Sequence, residues 1–437
     1  MSECKNCGVQ EQTVHDISLF LTEDCNLACD YCFVNKEPQH IDLQTAKNAI
    51  IFLLEHSGNA KEVSCWFFGG EPLVKFDIIK EIVPWGIHEA AKYGKKIRFG
   101  ATTNGTLLTD EVLLFWKQYN LGLLLSVDGD EETQDRHRKT KVGTGSFALL
   151  KDKLPKIISL FPGVTARMTF DTETVQNLHH NFKWAVEQGF TTIAQLHVIE
   201  DDWQEEHLEI MKNELYKIAD DYINLYRQGR PIDYKIFDDY IPIHANPSKE
   251  RPISGCGRAN GSIGVSVQGK LFPCHRFVTI KNEDIDKFII GDIYKGIDYE
   301  KLEYVKTFST QVITPNKKMP YKDCFDCPGV QICIGGCIAA NYQHMGKPNE
   351  PPFGQCAVVP IWYEVAGYVY KTLLFEKNRI FYQKFKLTPQ HYEKALLQND
   401  ISFLTNLQRT IADGNTDLCN LLLEFLIKQK QILLSRF

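Results

Sequence analysis

The sequence predicts an α/β protein: a partial (β/α)6 barrel of parallel strands, then a small cysteine-rich domain, then C-terminal helices. From Val14 to about Arg230, short β-branched or aromatic runs alternate with longer segments of helical period, as expected for a parallel sheet with crossover helices. The alternation gives six βα units, too few for a complete eight-fold barrel, so the barrel is expected to be open, with its active site at the C-terminal strand ends. The 14 cysteines are bunched, three between Cys25 and Cys32 and seven between Cys256 and Cys356.

The expected strands are Asp16 to Leu21, Glu62 to Phe68, Ile97 to Thr103, Gly122 to Val127, Thr165 to Phe170 and Thr192 to Val198. Helices are expected at Leu43 to Glu55, Phe76 to Tyr93, Thr109 to Tyr119, Phe147 to Leu160, Val175 to Gln188 and Gln204 to Arg227. Proline, aspartate and asparagine interrupt the helical pattern near Pro231 to Pro252, which marks a linker. The next stretch is dense in Gly, Pro and Cys, with two short strand-like runs at Ile263 to Val267 and Lys270 to Pro273. The chain then divides into a tail (1–13), the barrel (14–230), the linker (231–252), the cysteine-rich domain (253–375) and a helical extension (376–437) expected to pack on the cysteine-rich domain. That extension ends in the apolar-rich run Leu418 to Leu434.

A hydrophobic content of 43% over 437 residues can bury a large core. The net charge of −6 is mild and no basic-aromatic stripe occurs, so nucleic acid is not an expected partner. No signal-like or membrane-spanning apolar run is present, so a soluble, cytoplasmic protein away from membranes is expected. In that compartment a thiol set of this size points to metal rather than to disulfides.

Cys25, Cys29 and Cys32 form C-x3-C-x2-C directly after the first strand. A structural zinc site wants four protein ligands, whereas a four-iron cluster held by three thiolates keeps one iron open for another molecule. This spacing, with Tyr31 just before the third cysteine, resembles the signature of the radical S-adenosylmethionine superfamily. The resemblance implies a [4Fe-4S] cluster whose open iron chelates S-adenosylmethionine and cleaves it to a 5'-deoxyadenosyl radical. Gly69-Gly70-Glu71-Pro72, after the second strand, is similar to the family's G-G-E-P element, where small residues let backbone approach the cofactor's methionine amino group. Ser126 and Arg138 match family positions that bind the cofactor's ribose or carboxylate, a contact that suits the guanidinium fork. In Thr103-Asn104-Gly105, Asn104 either caps the turn or touches substrate, and Arg167 either meets cofactor or substrate or forms a structural salt bridge.

The later cysteines read C-x12-G-x4-C over Cys256, Gly269 and Cys274, then C-x2-C-x5-C-x3-C over Cys324, Cys327, Cys333 and Cys337, then Cys356. This resembles the seven-cysteine SPASM domain of peptide- and protein-modifying members, which binds two auxiliary [4Fe-4S] clusters. By that resemblance Cys324, Cys327, Cys333 and Cys356 hold the more distant cluster and Cys256, Cys274 and Cys337 the nearer one, giving three clusters in all and an open iron on the nearer. Cys274-His275 is similar to the pair in thioether-forming peptide maturases, whereas the more distantly similar anaerobic sulfatase maturases place an aspartate base there. His275 is thus a base for a substrate thiol, or else a hydrogen-bonding neighbour of a cluster sulfur or a packed surface histidine.

The resemblance implies a peptide maturase that forms a cysteine thioether on a ribosomally made peptide, fed electrons by a ferredoxin or flavodoxin. Formylglycine synthesis, carbon-carbon crosslinking and epimerisation are the enzymatic alternatives, and a zinc-ribbon scaffold the non-catalytic one. Only residues 1–13 precede the barrel, so leader recognition is expected to be absent or to reside in a separate protein. Cys4 and Cys7 are read as adventitious or inert, and Cys65 and Cys419 as core residues.

Overall fold

The computed structural model describes residues 13–247, 261–280, 285–310, 313, 315–330, 332–333, 335–397 and 427. Cys4, Cys7, Cys256 and Cys419 lie outside these residues, as does Leu418 to Leu434 apart from Ile427.

All six expected strands form, within a residue or so at each end: β1 (Asp16–Thr22), β2 (Glu62–Gly69), β3 (Lys96–Thr103), β4 (Gly122–Ser126), β5 (Thr165–Phe170) and β6 (Thr192–His197). Each pairs in parallel with the next. Further strands extend this sheet at both ends. At one end β7 (Asp233–Tyr234) pairs in parallel with β6. At the other, β8 (Ser262–Val265) pairs in parallel with β1, and β9 (Lys270–Phe272), β10 (Gly291–Asp292) and β11 (Gly296–Ile297) follow antiparallel. The order is β11-β10-β9-β8-β1-β2-β3-β4-β5-β6-β7, and the sheet is open.

The crossover helices are α1 (Leu43–His56), α2 (Phe76–Lys92), α3 (Asp110–Gln118), α4 (Glu131–His137), α5 (Leu154–Leu160), α6 (Leu178–Gln188) and α7 (Glu205–Arg227). Their starts are set by side chains that accept from free N–H groups: Asp42 from Thr45 (2.8 Å) and Asp130 from Thr133 (3.1 Å). The helix expected over Phe147 to Leu160 is instead two 3-10 turns followed by α5, because Pro155 fits only the first turn of a helix. The short α4 carries no apolar period and was not foreseen.

Residues 231–247, read as linker, are folded: Ile232, Tyr234, Ile236, Phe237 and Ile241 are buried, and β7 leads into α8 (Lys235–Asp238) and α9 (Ile241–Ala245). Beyond the hairpin of β8 and β9 come α10 (His275–Val278), α11 (Tyr299–Thr310) and α12 (Ile338–Met345). The 23-residue α13 (Phe353–Phe375) packs against α7, α8 and α9. The described part of the extension, α14 (Arg379–Lys384) and α15 (Pro389–Leu397), packs on α13, with Tyr382 Oη donating to Leu374 O at 3.0 Å and Phe375 5.4 Å from Tyr392, and α14 also docks on α7 and the 231–247 stretch. Phe381 meets the Tyr226 ring at 5.8 Å, and Lys384 pairs with Asp238 at 2.9 Å and Asp233 at 2.7 Å. The reason is that its aromatic and basic residues find partners on the linker stretch and α7.

Side chains alternate along the strands. Val63, Cys65 and Phe67 of β2 are buried, while Trp66 on the opposite face lies across Gly100 of β3 and Gly122 of β4. Its indole Nε1 donates to Thr102 Oγ1 at 2.9 Å. A methyl group on Gly100 would sit 2.1 Å from the Trp66 ring. Gly100→Ala is therefore expected to cost about 1–3 kcal/mol through overpacking, read as a lower urea midpoint with an unchanged m-value.

Candidate active site at the barrel mouth

Cys25, Cys29 and Cys32 lie in the loop that leaves β1. The loop is anchored by Asp24 Oδ1, which accepts from Cys25 N at 2.8 Å, and by Ala28 N, which donates to Lys139 O at 2.7 Å. Cys25 is buried and the other two are half-buried. Burial pushes the Cys25 thiol up to about 12 and raises Cys29 as well. Thiols in this setting become thiolates only against strong positive charge, which iron supplies. Leu27 N donates to Cys25 Sγ at 3.4 Å, the kind of N–H contact that tunes cluster sulfur. Among the described residues, no three His, Cys, Asp or Glu side chains converge as ligands of one metal ion. Three free cysteine thiols in one loop are the donor set that fits a four-iron cluster.

The Gly69 to Pro72 element abuts this loop. Gly69 has φ +135°, and a Cβ there would sit 2.0 Å from Thr22 O; one on Gly70 would sit 2.1 Å from Asp24 O. These glycines let the segment just ahead of Cys25 lie against the end of β2, with Gly70 N donating to Thr22 O (3.0 Å) and Glu71 N to Asp24 O (2.9 Å). Glu71 is buried beneath, and its carboxylate accepts from Thr103 Oγ1 (2.8 Å), Asn104 N (2.8 Å) and Leu73 N (3.1 Å). Burial lifts it to about 7 despite those donors. Pro72 opens the following 3-10 turn. Asn104 closes its own turn, accepting from Thr106 N at 3.0 Å, while its amide donates to Asn26 Oδ1 at 2.9 Å and faces Cys25 Sγ at 3.9 Å.

Ser126 ends β4, opposite Arg167 of β5. Two residues on is Asp128, which motif reasoning passed over; an acidic residue just past the C-terminal end of a barrel strand was the available signal. Its buried carboxylate accepts from Tyr31 Oη, from Thr169 N (2.8 Å) and from Arg138 through Nε (2.8 Å) and Nη2 (3.1 Å). Arg138 is buried at the end of α4, 5.5 Å from the Tyr31 ring. Its fork, which the resemblance aims at a cofactor carboxylate, is here engaged by Asp128. Next to it, His137 stands between Asp30 and Asp171, Nδ1 2.9 Å from Asp30 and Nε2 2.9 Å from Asp171. Burial pulls this imidazole down, but Asp171 and then Asp30 outweigh it and raise the pKa to about 9. Beyond lies a cavity of about 440 Å³ lined by Tyr31, Cys32, His137, Asp171, Glu200 and, from α12, His344.

The cysteine-rich segment closes over this mouth. Cys274 caps α10, and the His275 ring rests on Phe68 (4.8 Å) and Phe33 (6.1 Å), the residue after Cys32. Burial, then Arg276 and Arg167, pull His275 down to about 4. Arg276 pairs with Glu200 and lies 4.4 Å over the Phe33 ring. Cys337 caps α12, which packs on α10. Farther out, burial raises the Cys356 thiol to about 12, with further contributions from neighbouring Cys333, Cys324 and Cys327, so these four are clustered. Gly335 N donates to Cys333 Sγ at 3.3 Å and Asn316 N to Cys356 Sγ at 3.4 Å. Cys65 is buried in the core.

Residues 19–185 match the family model of the radical SAM superfamily. The radical SAM cyclopropyl synthase TigE of Paramaledivibacter caminithermalis is 24% identical over 386 residues, 79% of this chain and 72% of its own length. A cysteine-type anaerobic sulfatase-maturating enzyme of Clostridium novyi is 24% identical over 353 residues, 76% of this chain and 88% of its own. Among solved structures, anSMEcpe with bound AdoMet and Cp18Cys peptide has a TM-score of 0.62 at 19% identity, covering 85% of this chain and 99% of that one. Streptococcus suis SuiB bound to its precursor peptide SuiA has a TM-score of 0.54 at 15% identity, covering 79% of this chain and 76% of that one. The structural likeness is one of fold, a mostly parallel α/β sheet that does not close. No described helix is long and apolar enough to cross a membrane.

Asp128→Ala strands Arg138 as a buried unpaired cation and is expected to cost about 3–5 kcal/mol, measured by denaturant unfolding. His137 gives a pH signature. Its folded pKa of about 9 lies above the ordinary imidazole value of about 6.5. Its contribution to stability is therefore full below about pH 6.5 and is lost as pH rises through about 9. A His137→Gln variant should flatten the unfolding free energy across that window.

Proposed function

Because the chain carries a radical SAM domain and is an enzyme of that kind, we propose that it is a SPASM-type peptide maturase that joins a substrate cysteine sulfur to carbon. Cys25, Cys29 and Cys32 would hold the radical-generating cluster. Cys324, Cys327, Cys333 and Cys356 would hold one auxiliary cluster, and Cys256, Cys274 and Cys337 another. When bound, the first cluster and S-adenosylmethionine supply a radical that abstracts a substrate hydrogen atom. A donor such as ferredoxin or flavodoxin would supply the electron, and a ribosomally made peptide would be the substrate.

The protein's own residues orient and enclose. Asp128 fixes Tyr31 and Arg138 beside the cluster loop, and Glu71 with Asn104 fixes its Cys25 end. Gly69, Gly70, Pro72 and Ser126 would line the cofactor. The observation that carries the thioether reading is His275: it follows Cys274 and lies against Phe33 and Phe68, beside the radical-generating loop. Held well below its usual pKa, the imidazole is neutral near pH 7 and keeps one ring nitrogen able to accept a hydrogen bond from a substrate thiol. Formylglycine synthesis is the second reading, favoured by the likeness to a sulfatase-maturating enzyme along 88% of its length.

The anaerobically reconstituted protein should be brown, with about 12 iron atoms in three clusters. With a cysteine-bearing precursor peptide it should remove two hydrogens and leave the thiol resistant to alkylation. His275→Asn should lower product formation about 10²-fold while cofactor cleavage continues. A crosslinked product with freely alkylated thiols, or formylglycine on a sulfatase peptide, would sink the thioether reading.

A further inference from the structure

Three guanidinium groups surround the barrel mouth, and they are not equivalent. Arg138 is held by Asp128 and Arg276 by Glu200. Arg167 has no carboxylate partner among the described residues. Its Nη1 donates to Met168 O at 2.9 Å and Ala194 O at 3.5 Å. Along β5, Ala166, Met168 and Phe170 are buried, while Thr165, Arg167 and Thr169 on the opposite face of the strand are half-buried. Ser126 is the β4 partner of Arg167, so two hydroxyls, Ser126 and Thr169, share its surroundings.

The nearest carboxylate is already committed: Asp128 accepts from Tyr31, twice from Arg138 and from Thr169 N. Arg167 is half-buried, and burial lowers it to about 10, the mark of a cation partly withdrawn from water without full compensation. Leaving such a charge unpaired is costly, so the site is built for an anion that arrives from outside. The guanidinium fork selects planar, two-oxygen groups. Arg167 also lies within electrostatic reach of Asp128, Arg138 and Tyr31 on one side and of Arg276 and His275 on the other. It therefore stands between the cluster loop and the Cys274 turn, where a substrate would lie.

We propose that Arg167 is the centre of a carboxylate-binding subsite inside the barrel that takes an acidic side chain or the C-terminal carboxylate of the peptide substrate. This rests on the peptide-maturase reading only for the identity of the molecule that brings the carboxylate. The methionine carboxylate of S-adenosylmethionine has the same chemistry, and the test separates the two.

Crystals of the reconstituted enzyme are soaked in sodium bromide, with and without S-adenosylmethionine, and the anomalous signal is mapped. The expected result is a bromide about 3–4 Å from the Arg167 guanidinium, displaced by acetate, retained when the cofactor is bound, and absent in Arg167→Gln. Arg167→Lys, which keeps the charge, should retain a weaker peak, and cofactor affinity in both variants should stay within about twofold of the parent protein. A water in place of bromide, bromide at the protein surface only, or the cofactor's own carboxylate on Arg167 would overturn the proposal. The bromide site does not depend on the product formed, so a formylglycine or carbon-carbon product would defeat the thioether reading and leave this one standing.

Discussion

The Asp128 carboxylate holds the mouth of the barrel in register. It lies just beyond the end of β4 and accepts from three separately built segments: Tyr31 of the cluster loop, Arg138 at the end of α4, and Thr169 of β5. A carboxylate carrying a bidentate guanidinium and a backbone N–H is close to its full complement of donors. The cluster loop, rich in small and polar residues and with little apolar surface of its own, takes its shape from this anchor and from Glu71, which ties the ends of β2 and β3 together through Thr103 and Asn104. The two buried carboxylates act on opposite sides of the same loop.

A division of labour follows among residues that a motif would group together. Gly69 and Gly70 admit the carbonyls of Thr22 and Asp24, so part of their role is to seat the chain itself ahead of Cys25. Arg138 is paired with Asp128 through Nε and Nη2, whereas Arg167 donates to two backbone carbonyls. His275 is not buried away from the chemistry but lies across Phe68 and Phe33, joining the cysteine-rich segment to the loop that follows Cys32. The extra strands explain how this is possible: β8 pairs with β1, so the hairpin that delivers Cys274 is a continuation of the barrel's own sheet.

The six βα units, the open sheet and the likeness to the radical SAM superfamily were legible in the sequence. Strand and helix periodicities arise from local burial, and three thiols at C-x3-C-x2-C spacing are a local chemical statement that needs no folded context. Six strands appear where alternation placed them, and the four outer cysteines Cys324, Cys327, Cys333 and Cys356 are brought together. Local pattern could not supply β7, whose two residues are too few to show a period, or α4, which has no apolar face. The added docking of α14 on α7 and the 231–247 stretch was not legible either, because a helix's apolar stripe says that it packs but not on every partner.

The partners of charged groups were decided only by tertiary structure. Asp128, His137 and Asp171 are ordinary residues in the sequence, and Arg138 and Arg167 look alike there. Three-dimensional packing gives Arg138 a carboxylate at 2.8 Å and gives Arg167 two carbonyls. A long-range ion pair leaves no trace in spacing, because its strength depends on burial and on which strands are neighbours. The sequence by itself determined the βα alternation and the cysteine spacing that resembles the radical SAM signature, because both are local patterns. The tertiary structure decided which of these charges find a carboxylate and which find only backbone carbonyls, because that depends on which segments packing brings together.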